Sequence, residues 1–317
     1  MARAFGALTG KLRRLLGGPA APRRRRHSIN LELEQFEGRL APVVGAFALA
    51  PEATTGLGFD GVVAIYSPKG GEFSPKGELR GSGALLEGGR HILTAAHVVD
   101  KNRDGWADLG TWEVRFTTRS GTYSFAVSSA NIDVPDEWNG KLQDGYDVAV
   151  MTLTEVAPSD AERYRLNYVG NEVGKELVVV GYGARGTGNK GETKPAGVKR
   201  TYGHNQFDAL GQDVDPGFSR DFGPWGTLAY DFDNSGDNNP LGDQGYRDEG
   251  FAAHGDSGGP LFIDFGGTIP MQGGWLAGIT SFGTSRGDAD DFDDKDDNST
   301  WGEINFNTRV FDHYFWM

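Results

Sequence analysis

The feature that most limits what this chain can become is its punctuation. Glycine fills 49 of 317 positions, about twice the roughly 7% of an ordinary protein. With Asn and Asp it separates short runs of β-branched, apolar and aromatic residues. The runs are GVVAIY (61–66), WEVRFTT (112–118), TYSFAV (122–127), DVAVMTL (147–153), ELVVVGY (176–182), GWLAGITSF (274–282) and INFNTRVF (304–311). Runs bounded in this way predict strands. Helical patterning is confined to AAHVV (95–99), a stretch near 158–166 and the closing VFDHYFWM (310–317). Many short strands with few helices predict an all-β barrel or sandwich. With 38% hydrophobic residues the chain can still bury a core.

Composition excludes several classes of function. No apolar run approaches 18 residues, so no helical membrane span is expected. There is no cysteine, which removes disulfides, thiolate metal sites and a cysteine nucleophile. The net charge of −13 is unevenly spread. Residues 1–42 hold nine Arg or Lys against three Glu, a surplus of six positive charges, so residues 43–317 carry −19. A body this acidic repels phosphates and is not expected to bind nucleic acid. The basic leader ends in LELEQFEGRLAP (31–42), which resembles the L-x-L-E-x-L/F-E-x-R-x-A-P leader of some exported bacterial proteins. Residues 1–42 are therefore read as an export leader outside the fold, with an extracellular or cell-surface destination.

Three stretches carry chemistry. GFAAHGDSGGPLF (250–262) sets Ser257 among glycines. A serine is a useful nucleophile only with a base, an orienting carboxylate and N–H groups to receive an oxyanion. HILTAAHVVD (91–100) offers His97 in a turn of small residues, and GYDVAVMTL (145–153) offers Asp147 at the start of a strand. The same serine fits G-x-S-x-G, the elbow of α/β-hydrolases, but that motif needs a following helix and the order Ser, Asp, His. Here a proline and a strand follow, and only His313 lies downstream, so that reading fails. His27, His91, His204, His254 and His313 have no comparable context.

Together, T-A-A-H, D-x-A-x-x-x-L and G-D-S-G-G-P in the order His, Asp, Ser resemble the chymotrypsin/trypsin family of serine peptidases, closest to its disulfide-free bacterial members. The resemblance implies two antiparallel six-stranded β-barrels and a short C-terminal helix over residues 43–317, joined near 165–174. It implies a peptidase acting on polypeptide substrates through an acyl-enzyme, with no organic cofactor. His97 would be general base and acid, Asp147 its orienter, and Ser257 the nucleophile. The N–H groups of Gly255 and Ser257 would form the oxyanion hole. Phe251 would lie at the base of the substrate side-chain pocket, with Ser281, Phe282 and Gly283 as one wall and Asn305 on another. An apolar pocket for small or medium side chains is the simplest implication of Phe251, with a trypsin-like preference left open if nearby acids reach in. Asp256 would be buried and need a partner, which in animal relatives is a new N-terminal ammonium; PVVGAF (42–47) offers Val43 as its source.

Two acidic loops raise the question of calcium. DKNRDGWADLGT (100–111) fits the first part of an EF-hand loop, with Asp100, Asn102, Asp104 and Asp108 as oxygen ligands and Gly105 at the turn. Thr111 stands where the bidentate Glu belongs, with Glu113 nearby. RGDADDFDDKDDNS (286–299) packs seven Asp into residues 288–297 and reads first as a solvated loop. The alternative from another class is a catalytically silent scaffold acting as a calcium-dependent binding module; an esterase would use the same machinery. Oligomeric state is not readable from sequence.

Overall fold

The computed structural model describes residues 43–46, 48–69, 77–194, 196–197, 199–214, 226–233, 241, 249–266, 274–285 and 299–317. Residues 1–42, expected to be an export leader, and the acidic run 288–297 lie outside the described residues.

The protein is all-β, built from two curled and largely antiparallel sheets with a smaller third. Seven strands form the first sheet, in the order Gly121–Ser128, Thr111–Thr118, Val62–Tyr66, Leu79–Leu85, His91–Thr94, Ala149–Thr152 and Ile132–Asp133. The second runs Thr201–Gln206, Glu176–Gly181, Pro260–Ile263, Trp275–Ser285, Glu303–Arg309, Thr227–Asp231 and Ala209–Leu210, with Arg165–Leu166 alongside Trp275–Ser285. Among the described residues, six strands of each of the two larger sheets are longer than two residues. Val43–Gly45 lies between Arg185–Thr187 and Gly250–Phe251 in the third sheet, which Gly191–Lys194 completes.

The sequence runs that predict strands all form them, some buried along their length and one, Thr111–Thr118, by alternation. Thr111–Thr118 shows this plainly: Trp112, Val114 and Phe116 are buried while their neighbours are partly exposed. A core of Val62, Ile65, Leu93, Trp112, Phe116 and Met151 fills the first sheet. Leu177, Val179, Phe207, Tyr230, Phe232 and Leu261 belong to that of the second. AAHVV becomes the four-residue helix Ala96–Val99, and the chain end begins with Val310–His313. The stretch near 158–166 is not helical. The Arg163 guanidinium takes the carbonyls of Ala157, Pro158 and Ala161, acceptors that a helix would need for its own ladder.

One buried cation fastens the halves. Arg200, just before Thr201–Gln206, pairs with Asp60 at 2.6 Å and donates to the carbonyls of Ala53, Val62 and Thr117. Its charge is compensated and most of its donors are used, the condition under which a buried ion can be tolerated.

Candidate active site

His97 and Asp147 meet because their strands pair. Thr94 lies opposite Ala149, so the ends of His91–Thr94 and Ala149–Thr152 bring the two residues together. His97 Nδ1 is 2.7 Å from Asp147 Oδ2, and the His97 backbone N–H donates to Oδ1 at 2.9 Å. The Ser281 hydroxyl donates to Oδ2 at 2.5 Å. Asp147 is wholly buried. Burial pushes its carboxyl up, but the His97 charge and ring N–H, the Ser281 hydroxyl and the His97 backbone N–H outweigh that and hold it below the usual carboxylate range. With Nδ1 donating to Asp147, Nε2 is left as the nitrogen that can take a proton.

The segment around Asp147 is braced from the second sheet and the chain end. Thr308 donates to its carbonyl at 2.8 Å, and His313 to the Gly145 carbonyl at 2.7 Å. Burial lowers the His313 pKa, which suits a neutral ring donating to a carbonyl. His313, without a role in the sequence reading, is thus a support for Asp147.

Ser257 is clamped to the first sheet. Its carbonyl accepts from the Ser82 N–H at 2.8 Å, and the Ser82 hydroxyl donates to the Gly255 carbonyl at 3.0 Å. Gly81 and Gly258 permit this: a Cβ on either would lie 2.4 Å from the Ser257 carbonyl oxygen or 2.1 Å from Thr94 Oγ1. Gly255 sits at φ +99° and Gly258 at +77°, where glycine has no steric penalty. Among the described residues the N–H groups of Gly255 and Ser257 have no acceptor in the protein, whereas those of His254, Asp256, Gly258 and Gly259 do. Two unused donors flank the serine. The Glu192 carboxylate steadies this loop, accepting at 2.8 Å from both the N–H and the ring Nδ1 of His254.

Asp256 is also wholly buried, and among the described residues it has no ion-pair partner. Its oxygens accept from Gly183 N–H at 2.8 Å and Ala253 N–H at 3.0 Å. Burial drives its pKa up to about 7, against the pull of those two donors and with help from the Glu192 charge. Gly181 and Gly183 leave the room: a Cβ there would lie 2.1 or 2.4 Å from its oxygens. Val43 pairs with Arg185 in a parallel ladder, two residues beyond Gly183.

His97 and Ser257 line one cleft of about 390 Å³, and Phe251, Ser281, Phe282, Gly283 and Asn305 line it too. Phe251, the expected pocket base, lines the cleft while its ring packs in the core. Phe251 is buried, stacked on Phe232 at 5.2 Å and edge-on to Tyr230 at 5.6 Å, so its ring is committed to the core. Glu192 and Glu303, missed in the sequence, add two carboxylates to the lining. Both stand far in sequence from the motifs, and no local signal marks them.

The calcium ligands expected at Asp100, Asn102, Asp104 and Asp108 do share one loop. Asp100, however, accepts from the N–H groups of Asp104 and Gly105 and from the Trp138 indole at 2.8 Å. Asn102 Nδ2 donates to Asp104 Oδ2, and Asp108 accepts from the Lys101 N–H. Among the described residues no three or more His, Asp or Glu side chains converge as a metal site. The carboxylates order the turn by accepting from donors of the protein itself.

A family model described as a trypsin-like peptidase domain matches residues 81–269, more than half of the chain and inclusive of His97, Asp147 and Ser257. A search of curated proteins finds no match. Among solved structures the chain is similar to neuropsin, a serine protease expressed in the limbic system of mouse brain. The TM-score is 0.56 at 17% identity, over 84% of this chain and 96% of that one. At that identity the likeness speaks for the fold alone. The chain belongs to the trypsin-like peptidase domain family.

Proposed function

We propose that this protein is a serine endopeptidase working through His97, Asp147 and Ser257. The observation that carries the reading is the 2.7 Å contact of a buried Asp147 with His97 Nδ1, on a cleft shared with a serine flanked by two unused N–H donors. Ser257 Oγ attacks the scissile carbonyl carbon as its proton passes to His97 Nε2. The carbonyl oxygen, now anionic, accepts from the Gly255 and Ser257 N–H groups. Collapse expels the amine, which leaves with the proton from His97, and the Ser257 ester remains. Water, deprotonated by His97, then hydrolyses that ester. Asp147 fixes the tautomer and balances the imidazolium. No step calls for an organic cofactor.

Maturation belongs to the same proposal. Asp256 is a buried carboxyl with no cation among the described residues, and Val43 pairs with Arg185, two residues beyond Gly183, whose N–H binds Asp256. Cleavage before Val43 would free an ammonium beside that carboxyl. Export under the basic leader would put the enzyme outside the cell. Mass spectrometry of the secreted, active form tests both points, since a start other than Val43 removes the first.

The decisive experiment is labelling with a fluorophosphonate and digestion of a mixed peptide library by wild type and Ser257→Ala. Labelling and cleavage by wild type alone support the peptidase. A ligand-binding function that survives Ser257→Ala would instead favour the silent scaffold, and turnover of esters without peptides would favour an esterase.

A further inference from the structure

An edge strand offers its unused N–H and C=O groups to any strand that can reach them, and proteins blunt such edges by keeping them short, charged, bulged or covered. Among the described residues this chain does so at all its sheet edges but one. The first sheet ends on one side with the two-residue Ile132–Asp133, and the second with the two-residue Ala209–Leu210. The other side of the second sheet, Thr201–Gln206, is covered by bridges to Glu52 and Glu249. In the third sheet Gly191–Lys194 holds a glutamate and a lysine, and Gly250–Phe251 is two residues long.

The exception is Gly121–Ser128, the outer strand of the first sheet. Its sequence, GTYSFAVS, has no charge and no proline. It pairs residue for residue with Thr111–Thr118, from Thr111 opposite Ser128 to Thr118 opposite Gly121, with no bulge. Among the described residues the backbone of 122–127 has no further hydrogen-bond partner. Gly121, Thr122, Tyr123, Ser124, Ala126 and Ser128 are exposed. A strand with one neighbour directs about half of its N–H and C=O groups away from it.

Charge and pattern select the occupant. The strand carries no charged side chain with which to recognise a charged segment. What it matches is itself. Two antiparallel copies about a twofold axis normal to the sheet keep like faces together. On one face Tyr123, Phe125 and Val127 meet their counterparts, and on the other Thr122, Ser124, Ala126 and Ser128 do. Aromatic against apolar and hydroxyl against hydroxyl are favourable across strands, and no like charges come opposite. The apolar face is already held in place: Val127 is buried, and Phe125 lies edge-on to Phe116 at 5.5 Å.

We propose that a second copy of this chain docks on Gly121–Ser128, joining the first sheets of the two copies into one. Pairing consumes this edge on both copies, so assembly stops at two. An eight-residue strand is a small interface, so the dimer is weak and concentration-dependent. The net charge of −13 on each chain opposes it, and salt, by screening that charge, strengthens it.

Analytical ultracentrifugation of the full chain, over about 1–200 µM, should show monomer passing to dimer by mass action. The dimer should be several-fold tighter at about 0.15 M salt than at about 0.01 M. Thr122→Lys with Ala126→Lys, at two exposed positions of the edge, should raise the dissociation constant about tenfold or more. That variant is less negative overall, so its bulk charge alone would favour association, and a lost dimer reports the strand. Circular dichroism shows whether its fold is kept. Should it fail to fold, hydrogen exchange of the wild type decides: amides in 121–128 should gain protection as the protein is concentrated. A monomer at every concentration overturns the inference and leaves the edge to a strand of another protein. A dimer untouched by the two lysines overturns it too, as does protection of 121–128 that does not change with concentration.

Discussion

Asp147 and Asp256 are both wholly buried, near the same serine, and burial acts on them in opposite net directions. Asp147 has a histidine ring, a hydroxyl and a backbone N–H turned toward it, and its carboxyl is held below the ordinary value. Asp256 has two backbone N–H groups and no cation, and its pKa rises to about 7. Burial taxes both, and the supply of positive charge decides between them. One carboxylate is compensated within the fold; the other has no cation among the described residues.

The sharpest way to break the comparison is at Asp147. Asp147→Asn turns an N–H₂ toward His97, favours the wrong tautomer and should lower kcat about 10⁴-fold, as in triads of this kind. Steady-state kinetics on a cleaved peptide check it, with a circular dichroism spectrum to show the fold retained. Glu192 comes next, because it holds the His254 N–H immediately before Gly255, the oxyanion donor of the proposed mechanism. Glu192→Ala should cost about tenfold in kcat with little change in KM, less than outright loss of a donor. Glu192→Gln, which keeps an acceptor for that N–H, should restore most of it.

Asp256 supplies the pH test. In the chain not cleaved before Val43, the folded state keeps its proton up to about pH 7, whereas the unfolded state loses it near the ordinary carboxylate value. Folding therefore takes up a proton between those values. The stability this carboxyl contributes is fully present below its unfolded pKa and is lost as pH rises through about 7. The melting-temperature advantage of wild type over Asp256→Asn should shrink from pH 4 to pH 8. After cleavage, an ammonium on Asp256 should lower its pKa and abolish that trend. The smallest effect concerns the loop 100–108: calcium or a chelator should shift the melting temperature by no more than about 1 °C, since a ligand stabilises only what it binds. A shift of several degrees would show that the loop's carboxylates can rearrange around a cation.

The motifs around His97, Asp147 and Ser257 were legible because each is local: a nucleophile, its base and its orienter each need a particular residue type in a particular turn. The strands were legible too, since alternation and glycine punctuation are properties of neighbouring residues. The third sheet was not, for its members are two to four residues long and form only because distant segments meet. The helix expected near 158–166 failed for the same kind of reason, a side chain claiming carbonyls that sequence patterning cannot see. Glu192, Glu303 and the support of Asp147 by Thr308 and His313 lie on segments remote from the motifs they serve.

By itself the sequence determined the β character of the chain and the trypsin-like motifs that carry His97, Asp147 and Ser257, because these follow from local patterning and from residue type. Tertiary structure decided what those side chains experience. It packed Phe251 against Phe232 and Tyr230 at the edge of the cleft, and shifted the pKa values of two buried aspartates in opposite directions. Dielectric, distance and hydrogen-bond supply at a point depend on which remote segments converge there, and no single stretch of the chain carries that information.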